Sequence, residues 1–316
     1  MKRGSGMKTA VITDSASYLD PEVAKAAGIR VVPITVIFGT QTYLENVDIT
    51  SEQFYKRMRE EKAMPSTAQV TMMQMQEQFD ELIKEGYDEV ICIHLSSGIT
   101  TFLQNLEAYA PTVKGIKVYP FDSRMASEGE AWLALLAAKM AKAGKNAAEI
   151  LPVLEHLRET THVYFVVDDL SHLLRTGRIT NSSAFVGNLL RIKPILTFED
   201  AKIVALTKER TAKRAFQKVK RDFEASLGDE DYPVRVGVID GNNPDASATW
   251  MSDLTSENLK TDGGKDPQFE VAHIGPSIGV HTGEKVMGLV WAEDWQTLGE
   301  EQQSDAEARE KPSNNG

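Results

Sequence analysis

Three stretches end in hydroxyl-bearing turns where chemistry is possible: Thr13-Asp14-Ser15, Ser96-Ser97-Gly98 and Asp122-Ser123. The fullest is Val90–Asn105, VICIHLSSGITTFLQN. Val90–Leu95 is a short apolar run, which reads as a buried strand of a parallel sheet. The chain breaks at Ser96-Ser97-Gly98 and re-enters a helix through Thr100, Thr101 and Phe102. A strand end, a hydroxyl-rich turn and a helix start suit an anion, because the first amides of a helix are unpaired and point outward. The plainer alternative is that Ser96 and Ser97 only cap the helix. A third possibility is a hydrolase triad of Ser97, His281 and Asp14 or Asp122. Against it, Ser97 does not sit in a Gly-x-Ser-x-Gly nucleophile elbow.

The elements that must position these turns alternate. Strands are expected at Thr9–Ile12, Ile29–Phe38, Val90–Leu95 and Ile116–Tyr119, with helices at Asp20–Ala27, Ser51–Glu61 and Trp132–Met140. Thr50 is the expected cap of the second helix. Met64–Gln69 reads as a loop, and Met72, Met75, Phe79, Leu82 and Ile83 recur at helical spacing after it. The pattern predicts an α/β fold, doubly wound around a mainly parallel sheet, over residues 7–144. A second, α+β domain is expected over 145–299, with strands at Val163–Val167, Arg235–Ile239, Phe269–Ile274 and Val286–Trp291. It also holds a helix at Phe185–Leu190 and a hairpin at Ile195–Thr207 turning near Asp200. Ligands of such sheets sit beyond the carboxyl ends of the strands. Residues 300–316 are polar and read as a disordered tail. With a second methionine at Met7, the first six residues read as a cloning remnant or a short disordered leader.

Composition excludes several classes. The chain has 316 residues and a formal net charge of −11, which argues against a general nucleic-acid or anionic-membrane binder. Cys92 is the only cysteine, so no internal disulfide forms and a reducing cytoplasm fits. No apolar run approaches the ~18 residues of a membrane span, and no phosphate-cradling glycine motif follows a strand. His94 and His281 lack a third metal-ligating partner, and His94 reads as a strand-end histidine. No cofactor is expected. Lys208–Arg221 stands out as basic, with one acid, Glu209. It reads as the solvated face of a helix, or as a docking surface for an acidic protein partner.

Taken in order, Thr13-Asp14-Ser15, Val32-Pro33, Pro65-Ser66-Thr67-Ala68-Gln69, Ile93–Ser97, Asp122-Ser123, Gly177-Arg178-Ile179, Ile192–Leu196, Arg210-Thr211 and His281-Thr282-Gly283 resemble the DegV family. These are bacterial fatty-acid-binding proteins that include the B subunit of fatty acid kinase. The resemblance implies two α/β domains clamping one long-chain fatty acid in a buried tunnel. Thr67, Ser96 and Ser97, with His281 and Thr282 from the second domain, would hold the carboxylate. The bound acid would be presented to a separate ATP-using kinase subunit for acyl-phosphate formation, with Arg178 and Arg210 as partner or phosphoryl contacts. The binding subunit would have no catalytic residues of its own. Transient contact with a membrane surface is compatible with that role. The alternatives are the ester hydrolase above or a diverged lipid-binding paralogue without a kinase partner.

The chain departs from the family pattern at Thr100-Thr101-Phe102, Thr176, Ala68 and Glu284-Lys285. Bulkier residues at glycine positions and the added charges are expected to narrow the pocket mouth or change the ligand, while the fold survives.

Overall fold

The computed structural model describes residues 6–180 and 192–299. The expected Phe185–Leu190 helix, Arg191, the first five residues and the 300–316 tail lie outside the described residues.

Strands β1 (Thr9–Asp14), β2 (Ile29–Val32), β6 (Glu89–His94) and β7 (Lys117–Asp122) form a four-stranded parallel sheet in the order β2-β1-β6-β7. Every residue of β1 and β6 is buried, as expected of central strands covered on both faces. Around the sheet run helices α1 (Pro21–Ala27), α3 (Met72–Lys84), α4 (Phe102–Tyr109), α5 (Glu128–Lys142) and α6 (Ala147–Thr160). A small antiparallel sheet, β4-β3-β5, holds β3 (Thr35–Phe38), β4 (Gln41–Leu44) and β5 (Ser66–Ala68), with α2 (Ser51–Glu60) beside it. Thr50 caps α2 in a reciprocal capping box with Gln53, which satisfies two otherwise unpaired amides.

The second half is a seven-stranded sheet, ordered β13-β12-β14-β8-β10-β11-β9. Its strands are β8 (His162–Val166), β9 (Ile179–Thr180), β10 (Lys193–Glu199), β11 (Lys202–Glu209), β12 (Val234–Asp240), β13 (Gln268–His273) and β14 (Met287–Glu293). Among the described residues it carries helices α7 (Ser171–Thr176), α8 (Ala212–Leu227), α9 (Pro244–Thr255) and α10 (Pro276–Thr282).

Helix α5 is buried almost all round because it contacts both β1 of the parallel sheet and β14 of the mixed sheet. Alanines at 131, 134, 137 and 138 let the two sheets close on it. Helix α6 packs against α5 and also touches both sheets. The boundary expected at residues 144/145 therefore falls between two helices of one continuous apolar core, which runs from Ala10 to Ala292.

Three local expectations change. Ile29–Phe38 is two strands in different sheets, split at Pro33-Ile34. Part of the Met64–Gln69 loop forms β5, registered so that Thr67 pairs with Val36 of β3. Lys208 and Glu209 extend β11, so the basic helix begins only after its cap Thr211. No helix among the described residues is long and apolar enough to cross a membrane.

Candidate functional site

The carboxyl ends of β1 and β6 face a cavity of about 470 Å³. Asp14, Thr67, Ser97, Arg178 and His281 all line it. Beside it lies a narrow apolar crevice of about 40 Å³, lined by Met125, Val163, Phe165, Phe198, Ile203 and Ile278 among others. Ile99, Arg178 and His281 line both. A polar chamber thus adjoins an apolar slot, with a histidine and an arginine at the junction.

Each polar residue is held by an identifiable local structure. Pairing with β3 fixes Thr67, whose hydroxyl lies 3.2 Å from His281 Nε2. His281 is on the last turn of α10 and 8% exposed, and its Nδ1 has no partner. Burial, helped by the nearby Arg178 and Arg175 charges, pushes its imidazole down to about 4, so the ring is neutral. In the Nε2–H tautomer the ring donates to Thr67, which leaves the Thr67 hydroxyl hydrogen free for an acceptor in the cavity.

Ser97 sits in the turn after β6. Its amide donates to Asp122 Oδ1 at 3.1 Å and its hydroxyl to Asp122 Oδ2 at 2.5 Å. The acid of one strand end therefore fixes the serine turn of its neighbour. Arg178 donates through Nε to the Ile99 carbonyl and through Nη1 to the Thr176 carbonyl. Those two bonds aim the guanidinium along the junction.

The remaining expected site residues behave differently. Ser96 is fully buried and spends its hydroxyl on the Ala201 carbonyl at 2.6 Å, so it does not line the cavity. Thr282 lines the apolar slot, but its hydroxyl is turned to the Ile278 and Gly283 carbonyls. Arg210 is exposed just beyond β11, at the opposite end of that strand from Ala201. At ~3.3 Å per residue that places it well over 20 Å from the Ser96 turn. His94 binds Asp14 through Nδ1 at 3.0 Å and packs edge-on against Phe102, while its Nε2 has no partner.

The hydrolase arrangement is not assembled, since Ser97 bonds to Asp122 and His281 to Thr67. No group of three or more metal-ligating side chains forms among the described residues. Of the departures from the family pattern, Thr100 and Thr101 do reach the cavity, where both hydroxyls donate to Gln69 Oε1. Glu284 and Lys285 line neither the chamber nor the slot. Glu284 instead accepts from Arg59 and Asn242 on the outside of the molecule. The expectation that these two charges narrow the mouth is corrected accordingly.

Sequence reading missed Glu45, Tyr18 and Tyr55, which grip the start of α10. One signal was available: Gly275 and Gly279 are four apart and open one helix face. A Cβ on either would lie within 3 Å of Tyr18, Ser51, Phe54 or Tyr55 side chains.

Fold and site together define an α/β protein with a polar chamber and an apolar slot between two sheets. A family model described as "Uncharacterised protein, DegV family" matches residues 8–294. The chain is 40% identical over 286 residues to a DegV domain-containing protein of Halalkalibacterium halodurans, covering 90% of this chain and 98% of that one. It is 35% identical over 288 residues to Protein DegV of Bacillus subtilis, with 90% and 99% covered. This chain belongs to the DegV family. Its fold matches the crystal structure of DegV, a fatty acid binding protein from Bacillus subtilis, at a TM-score of 0.82 and 34% identity, over 91% of this chain and 99% of that one. A fatty-acid-binding DegV family protein from Thermus thermophilus matches at 0.82 and 28%, over 91% and 100%.

Proposed function

We propose that this protein binds one long-chain fatty acid, with the carboxylate in the polar chamber and the tail in the apolar slot. The observation that carries the reading is the shared wall of the two spaces, where Arg178 and His281 stand between a chamber suited to a carboxylate and a slot lined by apolar side chains. Burying a methylene contributes about 0.8 kcal/mol, so a sixteen-carbon tail contributes roughly 10 kcal/mol before the costs of association. A charge-assisted hydrogen bond adds about 1.5–3 kcal/mol. The tail supplies affinity and the polar groups fix the register.

Thr67 donates to the carboxylate while His281 supports it. The Ser97 hydroxyl turns from Asp122 to the ligand, and its amide bond to Asp122 Oδ1 keeps the turn in place. Arg178 supplies the positive charge, a ligand-facing role that fits its position better than a purely external one. The slot must widen for a tail, through rotamers of side chains such as Met125 and Phe198. The carrier reading extends to handing the carboxylate to a separate kinase subunit, with exposed Arg210 as a contact on that outer surface. Buried Cys92 is compatible with a reducing cytoplasm.

Native mass spectrometry of the purified chain, before and after incubation with palmitate or oleate, tests the binding reading. A bound mass equal to one fatty acid is expected. A protein that remains free of lipid after both incubations would overturn it.

A further inference from the structure

Helix α10 belongs to the second half by sequence, but the first half holds it. Its opening amide, Ser277 N–H, donates to Glu45 Oε1 at 2.7 Å. The other Glu45 oxygen accepts from the Ser15 hydroxyl at the end of β1, and Ser15 Oγ in turn accepts the Ile34 amide at 2.9 Å. Next along α10, Ile278 N–H donates to the Tyr18 hydroxyl at 2.9 Å. Tyr18 keeps a left-handed backbone, φ +49°, uncommon for a bulky residue.

Glu45 is 1% exposed and has no cation among these contacts, which is costly for a carboxylate. Burial pushes it up to about 7, against the pull of its Ser15 and Ser277 hydrogen bonds. A buried acid kept at such a place needs a structural or functional reason. Its bonds run from the strand end beneath the chamber to the helix that carries His281 one turn further on.

We infer that Glu45 is a positioning residue for the fatty-acid head group, setting α10 so that His281 meets Thr67. This rests on the lipid-binding reading for its consequence, but the latch itself does not need a ligand. Glu45 touches neither chamber nor slot, so it acts through α10. Without its carboxylate, Ser277 N–H loses its acceptor and the His281–Thr67 pair loosens.

Two measurements test this on the full chain. The first follows the His281 imidazole by NMR against pH without lipid, assigned by its absence in His281→Gln. In the unsubstituted chain the ring is expected to stay neutral down to about pH 4. In Glu45→Ala it is expected to titrate at least one pH unit higher, as water reaches it. The second is a palmitate-affinity cycle by displacement of a fluorescent fatty acid. Glu45→Ala should weaken binding about tenfold, and adding Thr67→Ala should weaken it no more than about twofold further. An unmoved His281 titration, or two losses that multiply in full, would overturn the role. If Glu45→Ala does not fold, Glu45→Met, which keeps the side chain's length and removes both acceptors, is put through both measurements under the same criteria. Failure of the unsubstituted chain to bind palmitate counts against the lipid reading alone, since the titration still decides the latch.

Discussion

Thr67 Oγ1 and His281 Nε2 stand 3.2 Å apart across 214 positions of sequence. This contact closes one wall of the chamber, and each side chain comes from a different half of the molecule. It makes the chamber a property of the assembled protein rather than of either half.

Thr67→Ala and Ser97→Ala should each weaken palmitate binding by about 10- to 100-fold, the range of one charge-assisted hydrogen bond. Ser97→Ala removes no apolar group and Thr67→Ala only one methyl of a half-buried residue, so the urea midpoint should move little. Isothermal titration beside a denaturation curve separates the two effects. Unchanged affinity in both variants would remove these residues from the head-group site.

Glu128 gives the fold an alkaline weakness. Burial and the neighbouring Glu270 carboxylate raise its carboxyl from 4.5 to about 8. Because the folded state binds this proton more tightly than the unfolded chain, the stabilisation is full below the unfolded value and disappears as pH rises through the folded one. Urea midpoints should fall between about pH 5 and pH 9, and Glu128→Gln should flatten that slope. A slope identical in the variant would sink the assignment.

Gly98 marks the contact between the Ser-Ser-Gly turn and the β10–β11 hairpin. A Cβ there would sit 2.1 Å from the Ala201 carbonyl oxygen, which is backbone and cannot swing aside. Gly98→Ala should cost about 1–3 kcal/mol or more, since overpacking forces backbone shifts, and should break the Ser96–Ala201 bond. Wild-type stability in chemical denaturation would contradict this close approach.

The Arg59–Glu284 pair joins α2 to the loop after α10. Arg59 is 53% exposed, so the pair is worth no more than about 1 kcal/mol. Glu284→Ala should leave fatty-acid affinity and chain-length preference within twofold. A marked change in selectivity would restore Glu284 to the pocket mouth.

Much of the architecture was legible locally. Apolar runs bounded by hydroxyl turns located β1 and β6, because a strand buried on both faces must be continuously apolar, and a shorter run marked β7, which is only half-buried at the edge of the sheet. Thr50 announced α2, because an N-cap is chosen by its own backbone. The turn at Asp200 was legible too, and both Asp200 and Ala201 have positive φ. By contrast, the two-residue break at Pro33-Ile34 and the short β5 carry no period long enough to read.

The sequence by itself determined the strand ends and hence which hydroxyls and acids face the open edge of the parallel sheet. Only the tertiary structure decided their use. Ser96 and Ser97 are adjacent and chemically alike, yet one is consumed by Ala201, 105 positions away, and the other meets Asp122 at the chamber wall. Glu45, which nothing in its own stretch marks out, is the buried acceptor for α10. The physical reason is range. Propensity, capping and alternation act over a few residues, whereas the site is closed by contacts that exist only after the two sheets have packed on α5 and α6.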